Sequence, residues 1–431
     1  MLHASLYSVV VMDEDGATVT AKRTRIGNYH EGASMSMHAE TVDVVIIGGG
    51  VIGSAIAYHV ARQGRRVRVV ERATPAAAPT ASWASAGGVR RQGRHVAEAK
   101  LAGEAIARWR TLEGELDADL EYRRDGNLRC AESDAEAEET AAYVREQQAL
   151  GFADVRFVDR AAVRALVPGL NARVVAGSYS PEDGQANPAL TTRAFAAAAQ
   201  RHGAAYWEAT ETESLLMTGD RVTGARTARG DVWAEVVVLA AGAWSDTLAA
   251  SAGFTLPVRM QALQMLVSTP APPGTLRPVI GGISRQLSLK QLPDGSFMLG
   301  GGWPGDPTPD RRGYTMRPES EAGNWAAAVG LLPAVGEQRV ARKWCGLEAF
   351  SVDGIPFIGA VPGIRGLTVA AGFSGHGFAI SPAVGRAVAD QLIGRPTPEL
   401  DALSPARIAA FDPTAVAQFL RAAAETRISA G

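Results

Sequence analysis

Three glycines spaced as G-x-G-x-x-G stand between an apolar run and a helical pattern, and they limit the fold more than any other stretch. VDVVIIG is typical of a buried strand, VIGSAIAYHVARQG has helical apolar spacing and ends on Gly64, and RVRVVE indicates a second strand. A crossover helix makes such strands parallel, and a parallel sheet needs helices on both faces. The pattern predicts a doubly wound, Rossmann-like α/β domain.

The spacing also predicts a dinucleotide site in this turn. Gly48 allows the tight turn, Gly50 lets the backbone approach a pyrophosphate, and Gly53 permits close packing of helix on strand. The helix start offers unpaired N–H groups to phosphate. Glu71 lies 18 positions after Gly53, where a carboxylate accepts hydrogen bonds from an adenosine ribose. FAD and NAD share this half, so the turn leaves both open.

The composition of the chain limits the classes of partner and the location that can be expected. The 431 residues include 43 basic and 45 acidic ones, a net charge of -2, which predicts no nucleic-acid or anionic-membrane partner and favours a small molecule. Cys130 and Cys345 are far apart and form neither a disulfide framework nor a zinc pattern, so we predict no metal and a reducing, cytoplasmic location. No run approaches the ~20 apolar residues of a membrane helix, and the N-terminus has no signal-peptide pattern.

The remaining chain predicts a second domain. Residues 1–40 indicate a loose tail or a mis-called start, because Met35 and Met37 precede the first strand. Apolar spacing predicts helices over 99–116, 134–150 and 190–202. Stretches 286–291 and 296–301 flank the turn Leu-Pro-Asp-Gly, which predicts an antiparallel hairpin.

Short apolar runs at 236–241 and 366–371 resemble returns to the first domain. We therefore expect a discontinuous nucleotide domain and an antiparallel substrate domain. The predicted nucleotide-domain segments are 41–115, 175–250 and 345–395. The predicted substrate-domain segments are 116–174 and 251–344, with a C-terminal tail or helix over 396–431.

Five segments in order resemble the D-amino-acid oxidase superfamily of FAD enzymes, which includes glycine oxidase, sarcosine oxidase β subunits and related amino-acid dehydrogenases. They are DVVIIGGGVIGSAIAYHVARQGRRVRVVER, SWASAGGVRRQ, VVVLAAGAWSD, WCGLEAFSVDGIPFIG and GFSGHGFAISPAVGRAVAD. The likeness spans residues 41–394. It implies FAD as cofactor.

The resemblance also implies site residues. Arg90 would hold a substrate carboxylate, with Arg91 the weaker candidate. His376 would lie beside the flavin and is a candidate catalytic residue, although a histidine tied to a tight loop is the alternative reading. Ser381 and Pro382 predict a helix start near the flavin, where N–H donors stabilise negative charge on the reduced ring. The implied cofactor-binding residues are Gly48, Gly50, Val51, Ile52, Gly53, Glu71, Arg72, Ser82, Ala86, Gly87, Gly88, Gly242, Trp244, Gly346, Gly372, Gly375, His376, Gly377 and Phe378.

Three departures from the family pattern matter. The cysteine that binds FAD covalently in monomeric sarcosine oxidases corresponds to Gly346, one position from Cys345, so we predict noncovalent FAD. Met298 stands where those enzymes carry a lysine that assists reaction with oxygen, which makes a dehydrogenase plausible. The stretch GQANPAL lacks the histidine that holds a covalent FMN in sarcosine oxidase β subunits, which makes an FMN site doubtful.

The resemblance implies oxidation of the C–N bond of a small amino acid or N-alkyl amino acid, with hydride passing to flavin N5 and hydrolysis of the imine. Sarcosine, glycine, a D-amino acid or a proline-like imino acid are all open as substrates. Oxygen or an electron-transfer acceptor would take the electrons, and additional subunits are open. The alternatives are an NAD-dependent dehydrogenase without flavin and a non-catalytic flavin-bearing assembly subunit. A disulfide reductase would need a close cysteine pair, which the sequence lacks.

Overall fold

The computed structural model describes residues 40–422. The expected loose tail over 1–40 therefore lies, apart from Glu40, outside the described residues. The strands are β1 Glu40–Ile47, β2 Val67–Val70, β3 Gly88–Val89, β4 Asn127–Ala131, β5 Arg156–Asp159, β6 Ala176–Ser180, β7 Gly184–Gln185, β8 Ala205–Trp207, β9 Thr212–Thr218, β10 Arg221–Thr227, β11 Gly230–Leu239, β12 Val258–Pro270, β13 Val279–Gly282, β14 Ser288–Gln291, β15 Ser296–Gly300, β16 Pro304–Pro307, β17 Tyr314–Thr315, β18 Val340–Ser351, β19 Phe357–Ala360 and β20 Leu367–Ala371. The helices are α1 Val51–Arg62, α2 Ala81–Ala84, α3 Ala99–Trp109, α4 Leu112–Leu116, α5 Asp134–Ala149, α6 Arg160–Leu166, α7 Pro188–Arg201, α8 Ser245–Ser251, α9 Pro318–Leu331, α10 Gly377–Leu392 and α11 Pro413–Arg421.

The first sheet is the predicted doubly wound sheet. Its path runs β19-β20-β11-β1-β2-β8, with β10 and β9 added in antiparallel fashion beside β11. Strands β8, β2, β1, β11 and β20 are all parallel. The crossover from β1 to β2 is α1, as the glycine motif predicts. The Rossmann-like fold class is thus confirmed.

Helices α1, α3, α7 and α10 cover one face of this sheet and share a single apolar core. Gly385 shows how tightly α10 meets α1, because a Cβ there would lie 2.7 Å from the backbone of Ala55. Only a residue without a side chain permits this approach. The close packing fixes where α10 begins relative to the β1–α1 turn.

The second sheet is largely antiparallel and follows the order β17-β16-β12-β15-β14-β13-β4-β6-β5, with β18 paired to β12. β14 and β15 form the predicted hairpin around residues 292–295. A separate core under this sheet includes Phe297 and Leu331. The predicted antiparallel sheet therefore exists as a layer of its own.

Some boundaries differ from the sequence-based ones. β6 and β18 pair within the second sheet, although both overlap segments expected in the nucleotide domain. The helix expected over 99–116 is broken between Trp109 and Leu112. The 396–431 segment forms two 3₁₀ turns and then α11, as far as the structure describes it.

One side of the second sheet, here called the inner face, carries Gly346 and Glu348 of β18. A Cβ on Gly346 would lie 2.3 Å from Ala84 Cβ, so this face points toward α2. Directly paired residues of neighbouring strands project to the same side. The strand register therefore adds further residues to the inner face, among them Arg129, Met265, Lys290 and Met298.

Candidate active site

A cavity of about 580 Å³ runs from the β1–α1 turn to β18 and the start of α10. It brings together most of the residues predicted to bind the cofactor, namely Gly48, Gly50, Val51, Ile52, Glu71, Arg72, Ser82, Gly242, Trp244, Gly375, Gly377 and Phe378. The others do not line it: Gly53, Ala86, Gly87, Gly88, Gly346, Gly372 and His376. Motifs that are distant in sequence thus meet around one space.

The glycines of the first turn are required by close contacts. Gly48 has φ +103°, and a Cβ there would lie 2.4 Å from the carbonyl oxygen of Ala240. A Cβ on Gly53 would lie 1.9 Å from the Gly48 oxygen. Gly53 therefore serves the helix-to-strand packing that the motif predicts, which explains why it stays behind the cavity wall.

The N-terminus of α1 opens toward the cavity. Gly50 is the N-cap and has no side chain to cap the helix. The amide of Val51 donates to Ser82 Oγ at 2.9 Å. Ser82 thus ties α2 to the start of α1, and both residues border the space where a phosphate would meet the helix dipole.

Glu71 organises the same turn from the end of β2. Its Oε2 accepts the amide of Gly49 at 2.7 Å, and its Oε1 accepts the amide of Ala73 at 2.9 Å. The carboxylate is buried. It therefore shapes the glycine turn directly, in addition to the predicted contact with a ribose.

Arg72 and Trp244 form one wall of this end of the cavity. The Arg72 guanidinium lies 3.9 Å from the centroid of the Trp244 ring, a cation–π contact. Burial lowers the pKa of Arg72. The Trp244 indole donates to the carbonyl of Arg311 at 3.0 Å, which links the wall to the loop between β16 and β17.

The opposite end of the cavity is formed where β20 leads into α10. Gly372 and Gly375 have φ of +78° and +85°, so this loop needs a left-handed backbone at both positions. Gly377 and Phe378, the first residues of α10, line the cavity. Their amides belong to the first turn of the helix, where N–H groups lack intrahelical partners.

The start of α10 corrects one sequence-based expectation. The sequence predicts a helix opening at Ser381 and Pro382, but α10 begins at Gly377 and contains Pro382. A proline inside a helix removes one hydrogen bond and crowds the carbonyl four residues earlier, so Pro382, the sixth residue of α10, disturbs only the N-terminal part of this helix. The correction moves the free amides of the helix into the Gly-His-Gly loop itself.

Glu348 lines the cavity beside this helix start and was not singled out by the sequence. Burial raises the pKa of Glu348 to about 7, against the opposing effect of hydrogen bonds from the amides of Gly375 and Ala349. The only sequence signal was one acidic residue within an apolar strand. A carboxyl group that titrates near neutral pH therefore faces the cofactor space.

The SAGG loop lies behind α2. Gly87 has φ +69°, and a Cβ there would lie 2.1 Å from the Ala186 oxygen. Gly88 pairs with Gln185 in the small β3–β7 sheet, and a Cβ on Gly88 would meet no described atom within 4 Å. Ala86 is half-buried. The loop is thus packed at Gly87 and open at Gly88.

Cys345 projects away from the inner face. It alternates with Gly346 along β18, and its sulfur lies 3.4 Å from Met316 Sδ. Burial raises the pKa of the Cys345 thiol to about 12. This geometry supports the prediction of noncovalent FAD.

Arg90 lies two residues after Gly88. Its Nη1 donates to the carbonyls of Gln92 and Gly93 at 2.8 and 3.2 Å. Burial, together with the neighbouring Arg94 and Arg129, lowers the pKa of Arg90 to about 10.

Arg91 is placed differently. It forms ion pairs with Asp154 and with the buried Asp183, and its backbone amide also donates to Asp183. Arg91 is therefore occupied by the protein, whereas the Arg90 guanidinium has only carbonyl partners among the described residues.

His376 belongs to a buried ion-pair group that does not line the cavity. Arg94 Nη1 donates to the His376 carbonyl at 2.8 Å, and Glu98 Oε1 lies 3.2 Å from His376 Nδ1. Burial lowers the pKa of His376, against the opposing effect of the neighbouring Glu98. Arg94 Nη1 also lies 2.9 Å from His376 Nδ1. This arrangement favours a positioning role, and the catalytic role stays a prediction.

Some lining residues come from segments that no motif marked. They are Thr80, Thr210, Glu211, Thr212, Glu213, Thr247, Asp310, Arg311 and Arg312. Arg311 is fixed by Asp246 at 2.7 Å. These residues complete the cavity wall, and only long-range folding brings them there.

Across residues 40–422, no group of three or more His, Cys, Asp or Glu side chains is arranged to hold a metal ion. None of the helices in that range is both long and apolar enough to cross a membrane.

The parallel sheet carries a glycine turn suited to a dinucleotide, and it faces an antiparallel sheet across one cavity. This arrangement is typical of a dinucleotide-binding protein. The chain matches the family model for FAD dependent oxidoreductase (DAO) over residues 43–391. It therefore belongs to the DAO family of FAD-dependent oxidoreductases, as the resemblance predicted. The family resolves the choice between FAD and NAD in favour of FAD.

Similarity to individual proteins is consistent with membership of this family. Glycine oxidase of Pseudomonas aeruginosa is 31% identical, with 82% of this chain and 95% of that protein covered. Sarcosine oxidase subunit beta of an Arthrobacter species is 29% identical, with 80% and 85% covered. The crystal structure of L-proline dehydrogenase from P. horikoshii superposes with a TM-score of 0.80 at 27% identity, covering 86% of this chain and 99% of that one.

The residues present fit FAD. The glycine cradle would hold the pyrophosphate at the start of α1, and Glu71 lies where the ribose is expected. The start of α10 would place amides beside the flavin ring.

Proposed function

We propose that this protein oxidises the C–N bond of a small amino acid or N-alkyl amino acid to an imine, which hydrolyses in water. Sarcosine, glycine, D-amino acids and proline-like imino acids are the substrate candidates. The relatives named glycine oxidase, sarcosine oxidase subunit beta and L-proline dehydrogenase support this class. Bound FAD supplies the hydride acceptor.

This proposal rests mainly on the observation that the side chains of Arg90 and Arg129 both lie beside Gly93. A Cβ on Gly93 would lie 2.8 Å from Arg90 Nη1 and 3.5 Å from Arg129 Nη1. Ion pairs within 4.0 Å engage neighbouring arginines such as Arg91 and Arg94, but none engages these two among the described residues. Two adjacent guanidinium groups without a counter-ion favour an anion between them, and a substrate carboxylate supplies one.

Arg129 was not singled out by the sequence. It reaches this position from β4, on the inner face of the second sheet, while Arg90 comes from the loop after β3. A carboxylate held by both would be fixed between the two domains. Such positioning orients the adjacent amine and carbon for reaction.

The electron acceptor belongs to the same proposal. Met298 lies on the inner face, half-buried, at the position where the resemblance predicts an oxygen-assisting lysine. We propose either oxygen or an electron-transfer acceptor to take the electrons. The name sarcosine oxidase subunit beta describes one part of an assembly, so partner subunits are included in this proposal.

The test is anaerobic reduction of the bound flavin. The purified protein is mixed with sarcosine, glycine, D-amino acids, D- and L-proline and hydroxyproline, and the visible flavin band is followed. We expect one group of amines to bleach it. A band that dithionite bleaches but no amine does would overturn the proposal. Oxygen uptake compared with dye reduction then separates oxidase from dehydrogenase.

The arginine site has its own test. Arg129→Met removes one charge-assisted partner of the carboxylate, and such bonds contribute about 1.5–3 kcal/mol. We expect KM for the bleaching amino acid to rise about 10–100-fold with FAD content unchanged. Arg365→Met, at an exposed ion pair with Asp220, is the control. An unchanged KM in Arg129→Met would contradict the assigned carboxylate site.

A further inference from the structure

Lys290 is a buried lysine within the second sheet. It lies in β14 directly opposite Met298, which places it on the inner face. Only 5% of its surface is exposed. An ammonium group in such a place is costly unless it is paired, so its presence calls for an explanation.

Within residues 40–422, no acidic or hydrogen-bonding partner compensates for the burial of the Lys290 ammonium group. No carboxylate lies within 4.0 Å of Nζ, and no hydrogen bond to Nζ is formed. The neighbouring strands β13 and β15 present no charged side chain to it at this level. The charged groups that influence it are Arg123, which opposes a positive charge, and Glu121, which favours one. Burial is the largest cause and lowers the pKa of Lys290 to about 7.

Lys290 lies on the same face of the second sheet as Arg129, one of the two arginines proposed to bind the carboxylate. Counting from the register of β4, β13 and β14, Lys290 stands level with Asn127 and two strands away. That is about 10 Å at the usual strand spacing of about 4.8 Å. Asn127 Oδ1 accepts from Gln92 Nε2 at 2.6 Å, and Gln92 belongs to the loop of Arg90. Arg129 lies on the same face, two residues further along β4.

A small amino acid bound at Arg90 and Arg129 would therefore lie on the same face of the second sheet as Lys290. The carboxylate would lie at Arg90 and Arg129, and the adjacent nitrogen would face Lys290. At neutral pH that nitrogen enters as an ammonium group, which has no lone pair. Hydride can leave the carbon only when a lone pair on nitrogen is free to form the C=N bond.

Building on the proposed function, we propose that Lys290 Nζ accepts a proton from the substrate ammonium group before the C–N bond is oxidised. One N–H bond of the ammonium breaks, and its electron pair stays on the substrate nitrogen. One N–H bond forms on the neutral lysine amine. The lysine returns the proton to solvent before the next turnover. This group and its role were not predicted from the sequence.

A different use of Lys290 would be as a permanent positive charge that anchors a second anionic group of the substrate. Replacing Lys290 with arginine should have opposite effects on the two roles: it preserves the anchoring charge and abolishes proton acceptance. Lys290→Arg keeps a charge but cannot accept a proton, because arginine stays protonated. Lys290→Met removes both functions while retaining an apolar side chain of similar length.

The experiment measures the rate of anaerobic flavin bleaching between pH 6 and 9, with the amine that reduces the wild type. We expect the wild-type rate to fall as pH drops through about 7, because the protonated lysine cannot accept a proton. In Lys290→Met and Lys290→Arg alike, the rate at pH 7.5 should fall about 10²–10⁴-fold, and the pH dependence should shift toward the pKa of the free substrate amine. Lys343→Met, an exposed lysine paired with Glu321, is the matched control.

The outcomes separate the two proposals. A wild type that no amine bleaches overturns the proposed function, and the role of Lys290 with it. A bleached wild type with a fast Lys290→Arg variant overturns the proton-acceptor role and supports anion anchoring. FAD content and the flavin spectrum of each variant should match the wild type. A loss of FAD that accounts for the slower rate would also overturn the proposal, since it indicates a structural role.

Discussion

The amide of Gly49 donates a hydrogen bond of 2.7 Å to the carboxylate of Glu71, which joins the glycine turn to the end of β2. This bond links the two parts of the sequence that predict the dinucleotide site. It means that the acidic residue holds the turn in shape before any cofactor is bound.

We therefore predict that Glu71→Gln weakens FAD binding. Glu71 accepts amides through both oxygens, and a glutamine can accept through only one, so one buried N–H loses its partner. The cost of such a loss is about 1–3 kcal/mol, or about 10–100-fold in Kd. Titration of apoprotein with FAD measures it. Glu235→Gln, at an exposed site, is the control, and an unchanged Kd for Glu71→Gln would contradict the prediction.

Gly88 offers a test of where the flavin lies. A Cβ there would meet no described protein atom within 4 Å, and the backbone is not left-handed. We predict that Gly88→Val leaves the apoprotein unfolding free energy within about 0.5 kcal/mol of wild type. FAD affinity should nevertheless fall at least tenfold, because the new side chain would occupy the space expected for the ring.

The control for this variant is Gly114→Ala in α4, which also meets no described neighbour. It should stabilise the helix by about 0.5–1 kcal/mol and leave FAD affinity unchanged. Equal FAD affinity in wild type and Gly88→Val would show that the flavin does not lie against this loop.

Glu348 makes stability depend on pH. Its pKa is about 7 in the folded protein, above the ordinary value of 4.5, so the folded state binds more protons than the unfolded state between these values. The contribution of this group to stability therefore falls as pH rises through this window. We predict that Glu348→Gln is more stable than wild type at pH 8, by about 1–3 kcal/mol, and equally stable near pH 4.5.

Thermal unfolding of both proteins at several pH values measures this difference. Glu337→Gln, at the surface between α9 and β18, is the control and should show a constant difference. A Glu348→Gln effect of the same size at pH 4.5 and pH 8 would argue that the side chain acts through packing instead of ionisation.

Cys345 gives a chemical prediction. Its buried thiol, directed at Met316, lies on the opposite side of β18 from Gly346. We predict that acid and denaturant release all of the flavin from the chain, and that Cys345→Ser binds FAD as the wild type does. Absorption of the precipitated protein measures this. Yellow colour retained on the wild-type chain and lost in Cys345→Ser would demonstrate a covalent link.

The sequence could predict the parts of the fold that are local. The strand–glycine–helix–strand unit from Val42 to Glu71 carries its own apolar periods and turn residues, so its structure follows from short-range rules. The β14–β15 hairpin is similar, because four turn residues fix its register. These are the elements in which the structure agrees with the sequence most closely.

The sequence could not assign every strand to its sheet. β18 has the apolar pattern of a buried strand and continues into β19 of the first sheet, yet it pairs with β12 of the second. The apolar pattern of a strand indicates which of its residues are buried, but it does not indicate which other strand it pairs with. The start of α10 was misplaced for a similar reason, since Ser381 and Pro382 form a good local start signal that the Gly-rich loop and packing against α1 override.

The amino-acid sequence by itself determined the family, the FAD cofactor and the glycine cradle, because these depend on residue types at fixed short spacings. Only the tertiary structure decided which charged residues face one another. Arg129, Lys290 and Glu348 come from three different strands and are separated by more than 50 residues from each other. Strand register alone puts them on one face of the second sheet, and burial there alters the protonation of the last two.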